Sequence, residues 1–442
     1  MLSSKILKTT ILTLLLFLVS FINSEAASIE DLMEKMEELN TRVESQQKQI
    51  NEQSQVIRTL KSEQISMKQR NEEVPANSTV IADKEQIKIA VSQIMDEEDY
   101  LPEWIKGFDL GGDFRLRYQG AYNRDDGDDR HRERFRLRIS MSKKLNDEIS
   151  LFFRLAGAEG QSITGTDQSF NEAFGEKEFW IDRAYAVYRP KNLSGLELGA
   201  GKFANPFIST KLVWSDDVNP EGVYERYRFN SGKNFRPFIT LGQMLIYEDD
   251  RTRDASLFAY QTGFDWDFDN NKWTLALTYY DYMNLEDSRL IREDSLANGN
   301  TVKSRPNGMG LACDFNLVNI TTFWETKIRS LPVVFFGDYV KNISSSCDDD
   351  SYGYSFGFDI GRMKHKGDWS IGYKYGRIEP DAVVGAFNDA DFGHSNTRGS
   401  RFALRYKLFK NVVFEGRVFV TDSVSGAEDQ LTEFIADLNF NF

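Results

Sequence analysis

The chain is 442 residues long, with 40% hydrophobic and 13% aromatic residues, among them 33 Phe and 18 Tyr, and a formal net charge of -14. That acidity argues against nucleic acid as a partner, since a polyanion is gathered by a basic face. Beyond the first two dozen residues no apolar run approaches the ~20 residues of a membrane-spanning helix, the longest strand-like one being Leu331 to Phe336, so a helical membrane protein is excluded too.

In chain order, the first expected element is a secretory signal at residues 1–26. Lys5 and Lys8 form its basic start, residues 11–21 an eleven-residue apolar segment, and Ser24-Glu25-Ala26 a small-residue cleavage site. The apolar segment is too short to be a retained anchor helix. A mature chain beginning at Ala27 loses two Lys and one Glu, giving 52 minus 67, or -15.

Residues 28–70 are expected to form a coiled coil. Ile29, Met36, Val43, Ile50, Ile57 and Gln64 recur at a, with Leu32, Leu39, Gln46, Gln53, Leu60 and Met67 at d. A sustained seven-residue repeat without proline makes an apolar seam between helices. Glu, Lys, Gln, Arg and Ser fill the remaining positions, which favours a self-associating stalk over a single helix lying on the next domain. Gln46 and Gln53 weaken the seam and are candidates for setting register or oligomer number. Residues 71–106 read as a linker: Pro75-Ala76-Asn77-Ser78, a short helical pattern at 83–95, and the acidic run Asp96-Glu97-Glu98-Asp99.

From Gly107 onward the period changes to two, and residues 107–442 are expected to form an all-β transmembrane barrel, antiparallel, of about sixteen strands. Phe108, Leu110, Gly112, Phe114, Leu116 and Tyr118 share one face, and Asp109, Asp113, Arg115, Arg117 and Gln119 the other. One face is greasy and the other charged, as a wall between lipid and water requires. That arrangement also accounts for a low apolar content combined with a high aromatic one. The strands are read at 107–120, 132–144, 147–158, 178–190, 195–203, 221–230, 236–247, 255–268, 271–284, 307–320, 331–343, 351–363, 366–379, 398–409, 411–422 and 430–442, with 178–190 and 236–247 ambiguous in parity. Even-numbered connections are mostly short, 321–330 being the longest exception, and odd-numbered ones are longer and polar. Short periplasmic turns and long external loops have this asymmetry, which puts both barrel ends in the periplasm. A soluble sandwich would have to bury every aromatic face in one core, and this many long amphipathic strands suit a closed barrel better.

Phe434, Ala436, Leu438, Phe440 and Phe442 alternate to the last residue, similar to the terminal signature read by outer-membrane assembly machinery. Cys313 lies in a strand-like stretch and Cys347 in a polar loop. They imply no disulfide framework or thiolate zinc site and are expected to be unrelated thiols, with a single disulfide as the alternative.

Four stretches in order, Pro102-Glu103-Trp104-Ile105, Gly112 to Tyr118 (GDFRLRY), Arg130 to Arg138 (RHRERFRLR) and Trp214 to Gly222 (WSDDVNPEG), resemble the bacterial putative-porin family, whose members pair an N-terminal coiled coil with a barrel. The resemblance spans the mature chain. It implies an outer-membrane porin passing small hydrophilic solutes or ions by passive diffusion, assembled as a homotrimer among outer-membrane lipid and lipopolysaccharide, with the stalk in the periplasm. It names no solute and no cofactor.

On the charged face, Arg115, Arg117, Arg134, Arg136, Arg138 and Arg154 belong to the first three strands, and Lys374, Arg401, Arg405, Lys407 and Arg417 to strands thirteen to fifteen. Closure brings the two groups to one side of the lumen, where pairing with Asp113, Glu415, Glu433 and Asp437 competes with an open basic wall. Residues 204–220 are the third external loop, the one that folds into the lumen of general porins. Pro206, Phe207, Trp214 and Pro220 make it stiff and bulky, while Asp216, Asp217 and the adjoining Glu221 make it acidic. A pore constriction is therefore expected between those carboxylates and the arginines.

Catalysis finds no footing. His131, His365 and His394 fall in separate connections, so no catalytic triad or histidine metal site converges. Asp348-Asp349-Asp350 reads as solvated loop charge. Two alternatives to general diffusion are a substrate-specific, anion-gathering channel and a structural tether whose stalk meets peptidoglycan. The heptads make one prediction of their own. A cysteine at Ile50 (Ile50→Cys), in a helix over residues 29–67 of roughly 58 Å at 1.5 Å per residue, should crosslink copies of the chain in intact membranes. Monomers alone on a non-reducing gel would exclude the bundle.

Overall fold

The computed structural model describes residues 107–122, 129–159, 163–171, 173–249, 253–288, 297–305, 308–347, 351–426 and 430–442. The expected signal, coiled coil and linker lie outside the described residues, as does the Asp348–Asp350 run. The chain divides into two units, Met1–Tyr100 and Leu101–Phe442.

The second unit is a closed antiparallel barrel of sixteen strands, named here β1 to β16. They are Phe108–Tyr122, Arg130–Lys144, Ile149–Gly157, Phe179–Tyr188, Leu196–Lys202, Glu221–Arg228, Phe235–Tyr247, Ala255–Phe268, Asn271–Met283, Asn316–Ile328, Leu331–Asn342, Tyr352–Gly361, Trp369–Ile378, Thr397–Phe409, Val412–Ser423 and Leu431–Asn441. Each pairs with its neighbours in sequence, and β1 pairs with β16 from Asp113↔Asn441 to Tyr122↔Thr432. Closure leaves no open sheet edge, which is what lets a sheet stand in lipid. Among the described residues no helix is long and apolar enough to cross a membrane, a criterion that does not bear on strands.

The period of two decides which face is which. Leu110 and Leu116 on β1 are 72% and 39% exposed, whereas the intervening Arg115 and Arg117 are 9% and 5% exposed. Lipid-facing rings therefore stand on the outside, and the lumen holds the charge. Near the periplasmic turns Trp266, Trp273 and Trp324 sit side by side on β8 to β10, as the aromatic belt of a membrane barrel does.

Two expectations are corrected. The tenth strand runs from Asn316 to Ile328, not over 307–320, and residues 321–328 belong to it. Thr322 and Trp324 continue the ladder against Leu275 and Trp273, and the turn is only Arg329 and Ser330, both in the left-handed region at φ 49° and 75°. Residues 308–311 instead form a two-stranded hairpin with 302–305. The apolar alternation through Leu311, Cys313, Phe315 and Leu317 is a burial pattern inside the barrel mouth, and in sequence it looks the same as a strand.

The cysteines are also joined: Cys313 and Cys347 form a disulfide with Cα atoms 5.0 Å apart. Thirty-four residues separate them, but the β10–β11 hairpin occupies that interval and brings its two ends together. The bond staples the loop before β10 to the loop after β11, with the Asn342 amide 3.0 Å from the Cys347 sulfur. Alkylation of the denatured, unreduced protein should accordingly find no free thiol, and alkylation after reduction should find two. A thiol titrating before reduction would contradict the staple.

Candidate functional site: the charged lumen

The strand register assembles the arginines. Arg115 lies directly across from Arg136, and Arg117 from Arg134, with Arg138 next along β2 and Arg154 on β3. Five or more guanidiniums on one wall repel one another unless carboxylates are interleaved, and the fold supplies them from two sources.

The wall itself provides the first. Asp113 accepts from Arg136 at 2.6 Å and Arg138 at 2.7 Å. Asp437 of β16 takes Arg117 at 2.7 Å and Arg417 of β15 at 2.6 Å, which ties the two sides of the closure. Arg154 pairs with Asp182.

External loops provide the second. Asp167, in the loop between β3 and β4, receives Arg115 at 2.6 Å and lies 3.3 Å from Arg117. Asp391, between β13 and β14, receives Arg417 at 2.7 Å and Arg117 at 3.4 Å. Asp389 in the same loop holds Lys374 at 3.2 Å. Burial alone would raise the Asp167 and Asp391 carboxyls, but the guanidiniums of Arg117, Arg115 and Arg417 outweigh it and hold both below the usual carboxylate range. Burial likewise lowers the ammonium of Lys211, in the loop between β5 and β6, but Asp389, Asp216 and Asp391 more than compensate and raise it.

Residues 203–220 carry the remaining predicted groups. The Ile208 amide donates to Gln261 on β8 at 2.9 Å, Thr210 Oγ1 donates to Asp338 on β11 at 2.5 Å, and the Ser215 amide donates to the Phe387 carbonyl at 2.7 Å. Trp214 stacks on Phe387 with ring centroids 5.6 Å apart, and Phe207 meets Tyr280 of β9 edge-on. Beneath them the inner faces of β7 to β11 are apolar toward their external ends, with Met244, Leu257, Tyr280, Tyr282, Leu317 and Val340 in one buried cluster, and polar deeper, at Thr240, Gln261, Thr278, Asn319 and Asp338.

Of the predicted carboxylates, Asp217 meets the arginine wall, 3.2 Å from Arg138. Asp216 pairs with Lys211 at 3.0 Å and is largely exposed. Glu221 shares its parity with Val223, opposite to lumen-facing Tyr224, and pairs with Lys202 at 2.6 Å away from the arginines. Arg134 reaches the backbone carbonyl of Asp167 at 3.1 Å. On β16, Leu438 and Phe440 stand opposite Leu116 and Phe114, Phe434 opposite Gly120, and the Phe442 amide donates to the Gly112 carbonyl. Sequence reading missed Asp167, Asp182, Asp389, Asp391 and Lys211, because nothing local in a loop tells which acid will reach a lumen arginine. Among the described residues no cluster of His, Cys, Asp and Glu could hold a metal.

A closed sixteen-stranded barrel with a lipid-facing girdle and a charged, loop-lined lumen is the architecture of an outer-membrane channel. The sequence matches the putative-porin family over residues 121–298 and 289–442, and the chain belongs to that family. A search of curated proteins finds no match. Among solved structures, OprB of Pseudomonas putida at high pH aligns with 79% of this chain and 96% of its own, at 11% identity and a TM-score of 0.52, a likeness of fold. OmpT of Vibrio cholerae, in a trimer form, aligns with 76% of this chain and 99% of its own, at 10% identity and a TM-score of 0.46.

The loop groups respond to acid over different pH windows. A carboxylate with a depressed folded pKa begins to lose its contribution only below its unfolded value, near ~4, so the Asp167 and Asp391 tethers hold at pH 4.5. His394, which hydrogen-bonds the Gly385 carbonyl at 2.8 Å, is held below its ordinary value by burial and so destabilises its loop as pH falls through ~6.5. Between pH 7.5 and 4.5, with intrinsic rates corrected, hydrogen exchange should stay constant over residues 163–171 and quicken over 379–396. His394→Asn should abolish that quickening. Equal acceleration of both loops would show that the carboxylates titrate instead.

Proposed function

We propose that this outer-membrane porin conducts small hydrophilic solutes and ions passively, through a lumen narrowed by residues 204–220 and crossed by a transverse electric field. The observation that carries this reading is the Asp217–Arg138 contact at 3.2 Å, an acidic loop set against a basic wall. The burial of Trp214 and the hydrogen bonds of Ile208 and Thr210 to β8 and β11 support a loop folded across the interior. Asp216 and Asp217 form the negative side, and Arg115, Arg117, Arg134, Arg136, Arg138 and Arg154 the positive. Glu221, on the opposite parity, lies outside this field. Opposed charges across a narrow wet gap orient water and dipolar solutes, which favours polar molecules over apolar ones of equal size. The field weakens with salt.

In the same reading the barrel assembles as a homotrimer in lipid and lipopolysaccharide. Residues 28–70 form a periplasmic stalk bundling the copies, its far end free to approach peptidoglycan. A solute-specific channel is the second reading, favoured by how much of the external half is occupied by packed loops around Trp214 and Phe387. Conductance that saturates with solute concentration distinguishes it.

Single-channel recording of the purified protein is the decisive measurement. Exposed Asp216 contributes little to stability, about 0–1 kcal/mol for a surface pair, whereas Arg136 is buried against Asp113, so each variant is first shown to fold by its heat-modifiable gel mobility and its selectivity is then read. Asp216→Asn with Asp217→Asn should move the reversal potential toward anion preference, and Arg134→Gln with Arg136→Gln toward cation preference. Unchanged potentials in both double variants at low salt, with conductance intact, would place the constriction elsewhere.

A further inference from the structure

We infer that the outward face of β9 to β11 holds one anionic phospholipid, with an acyl chain in a groove over Gly337 and the phosphate at Arg329 and Arg362. The groove has a volume of about 480 Å³ and is lined chiefly by Phe268, Trp273, Thr322, Trp324, Phe335 and Gly337. It comes from one gap in the register. On the outer surface the row Leu275–Thr322–Gly337–Phe356 runs between Leu277–Ile320–Tyr339–Tyr354 and Trp273–Trp324–Phe335–Phe358. Every position of the two flanking rows is large, and the middle row drops to a threonine and a glycine side by side.

The floor suits hydrocarbon. Thr322, the one hydroxyl of the lining, accepts from the Trp273 indole N–H at 2.8 Å and donates to the Thr274 carbonyl at 3.2 Å. Its polar capacity is thereby used, and the same bond fixes the Trp273 ring as one wall. Trp324 stands beside that ring and packs on Phe335 with centroids 5.9 Å apart. Crowding does not demand the glycine, because a Cβ at Gly337 would meet only Thr322 Cγ2, at an ordinary 3.5 Å. A side chain would fit there, and the groove exists because none is present. A slot between fixed rings gives an ordered chain dispersion contacts that a flat wall does not.

Charge decides which lipid. From Thr322 to Ile328 is about 20 Å of strand and, at a tilt of about 40°, roughly 15 Å of depth, half of the ~30 Å hydrocarbon core. The β10–β11 turn therefore stands at headgroup level while the notch lies in the core. Arg329 is in that turn, and Arg362, just after β12, reaches across to the Ser330 carbonyl. Neither forms an ion pair among the described residues. Of the acids at this end, Asp267 pairs with Arg236 and Glu325 with Lys272, both on the lumen parity, and Asp368 accepts from the Lys364 and His365 amides. That leaves Asp269, one hairpin away in the β8–β9 turn. Two guanidiniums below an apolar slot select a phosphate that carries no ammonium of its own, hence phosphatidylglycerol over phosphatidylethanolamine. The end is the periplasmic one, in the leaflet opposite lipopolysaccharide. The inference rests on the outer-membrane reading and is independent of what the lumen conducts.

The test uses the full chain, purified from outer membranes in mild detergent and stripped of lipid. Native mass spectrometry with dioleoyl phosphatidylglycerol or dioleoyl phosphatidylethanolamine counts the lipids retained per chain. One phosphatidylglycerol should be retained at a concentration roughly tenfold or more below that needed for phosphatidylethanolamine. Gly337→Leu should weaken its retention by roughly tenfold or more while the barrel keeps its heat-modifiable gel mobility, and Phe402→Leu, on the outward face of β14, should not. Arg329→Gln with Arg362→Gln should bring the two lipids to the same level. The site is overturned if the parent retains both lipids equally, if a folded Gly337→Leu retains phosphatidylglycerol as the parent does, or if the double arginine variant keeps the preference. Retention that depends on Gly337 in a protein that passes no current would support the site and count against the pore.

Discussion

Closure of the sheet is the constraint on which everything else depends. In hydrocarbon every backbone donor and acceptor needs a partner, and a sheet supplies all of them only when its first and last strands meet. The β1–β16 ladder does this, and it brings Arg117 of β1 beside Asp437 of β16. The covalently most distant parts of the barrel are therefore joined by backbone pairing and by a bidentate ion pair at the same place. A fork-shaped guanidinium suits this better than an ammonium, because two parallel hydrogen bonds fix direction as well as distance.

The same arginine anchors the loops. Arg117 faces Asp437 on the wall, Asp167 in one external loop and Asp391 in another, and Arg417 shares two of these partners. Moving so many charges out of bulk water is costly, and the attraction between them offsets that cost only when every charge has a partner. For that reason the ladder is better understood as a positioning device than as a source of stability. Each carboxylate placed by a loop settles one more guanidinium, and the guanidiniums in turn fix where the loops hang.

Much of this was legible from residues two apart. Parity, the number of strands, the alternation of short and long connections and the Phe-rich last strand are all local signals, and the barrel confirms each. Two segments were ambiguous for physical reasons. β4 carries a bulge opposite Arg154 and Leu155, which shifts its parity midway. β7 carries large apolar groups on both faces, since Phe238 and Met244 point inward beneath a loop while Ile239 and Leu241 point outward. The misplaced tenth strand has the same origin: an alternating apolar run can be buried by lipid or by loops, and sequence does not say which. The pairing of acids with arginines was not legible at all. Arg115 and Asp167 are 52 residues apart, Arg117 and Asp391 are 274 apart, and Arg117 and Asp437 are 320 apart. Only the closed ring makes them neighbours.

The lumen is consequently two-sided. β1 to β3 with β13 to β16 present guanidiniums and carboxylates, while the external ends of the inner faces of β7 to β11 present leucine, methionine and tyrosine under the loop that carries Trp214. A water-filled tube has no use for an apolar inner wall, so those residues make physical sense only as the bed of a packed loop. Their burial holds the loop against one side and leaves Asp217 next to the other, while Asp216 pairs with Lys211 and stays exposed. Hydrophobic packing thus does the orienting, at short range and without directionality, and the charges need only meet where the packing has already put them. That division of labour leaves the contacts of Asp217 with Arg138 and of Asn219 with Arg183 and Asp182 to fix where the loop meets the basic wall.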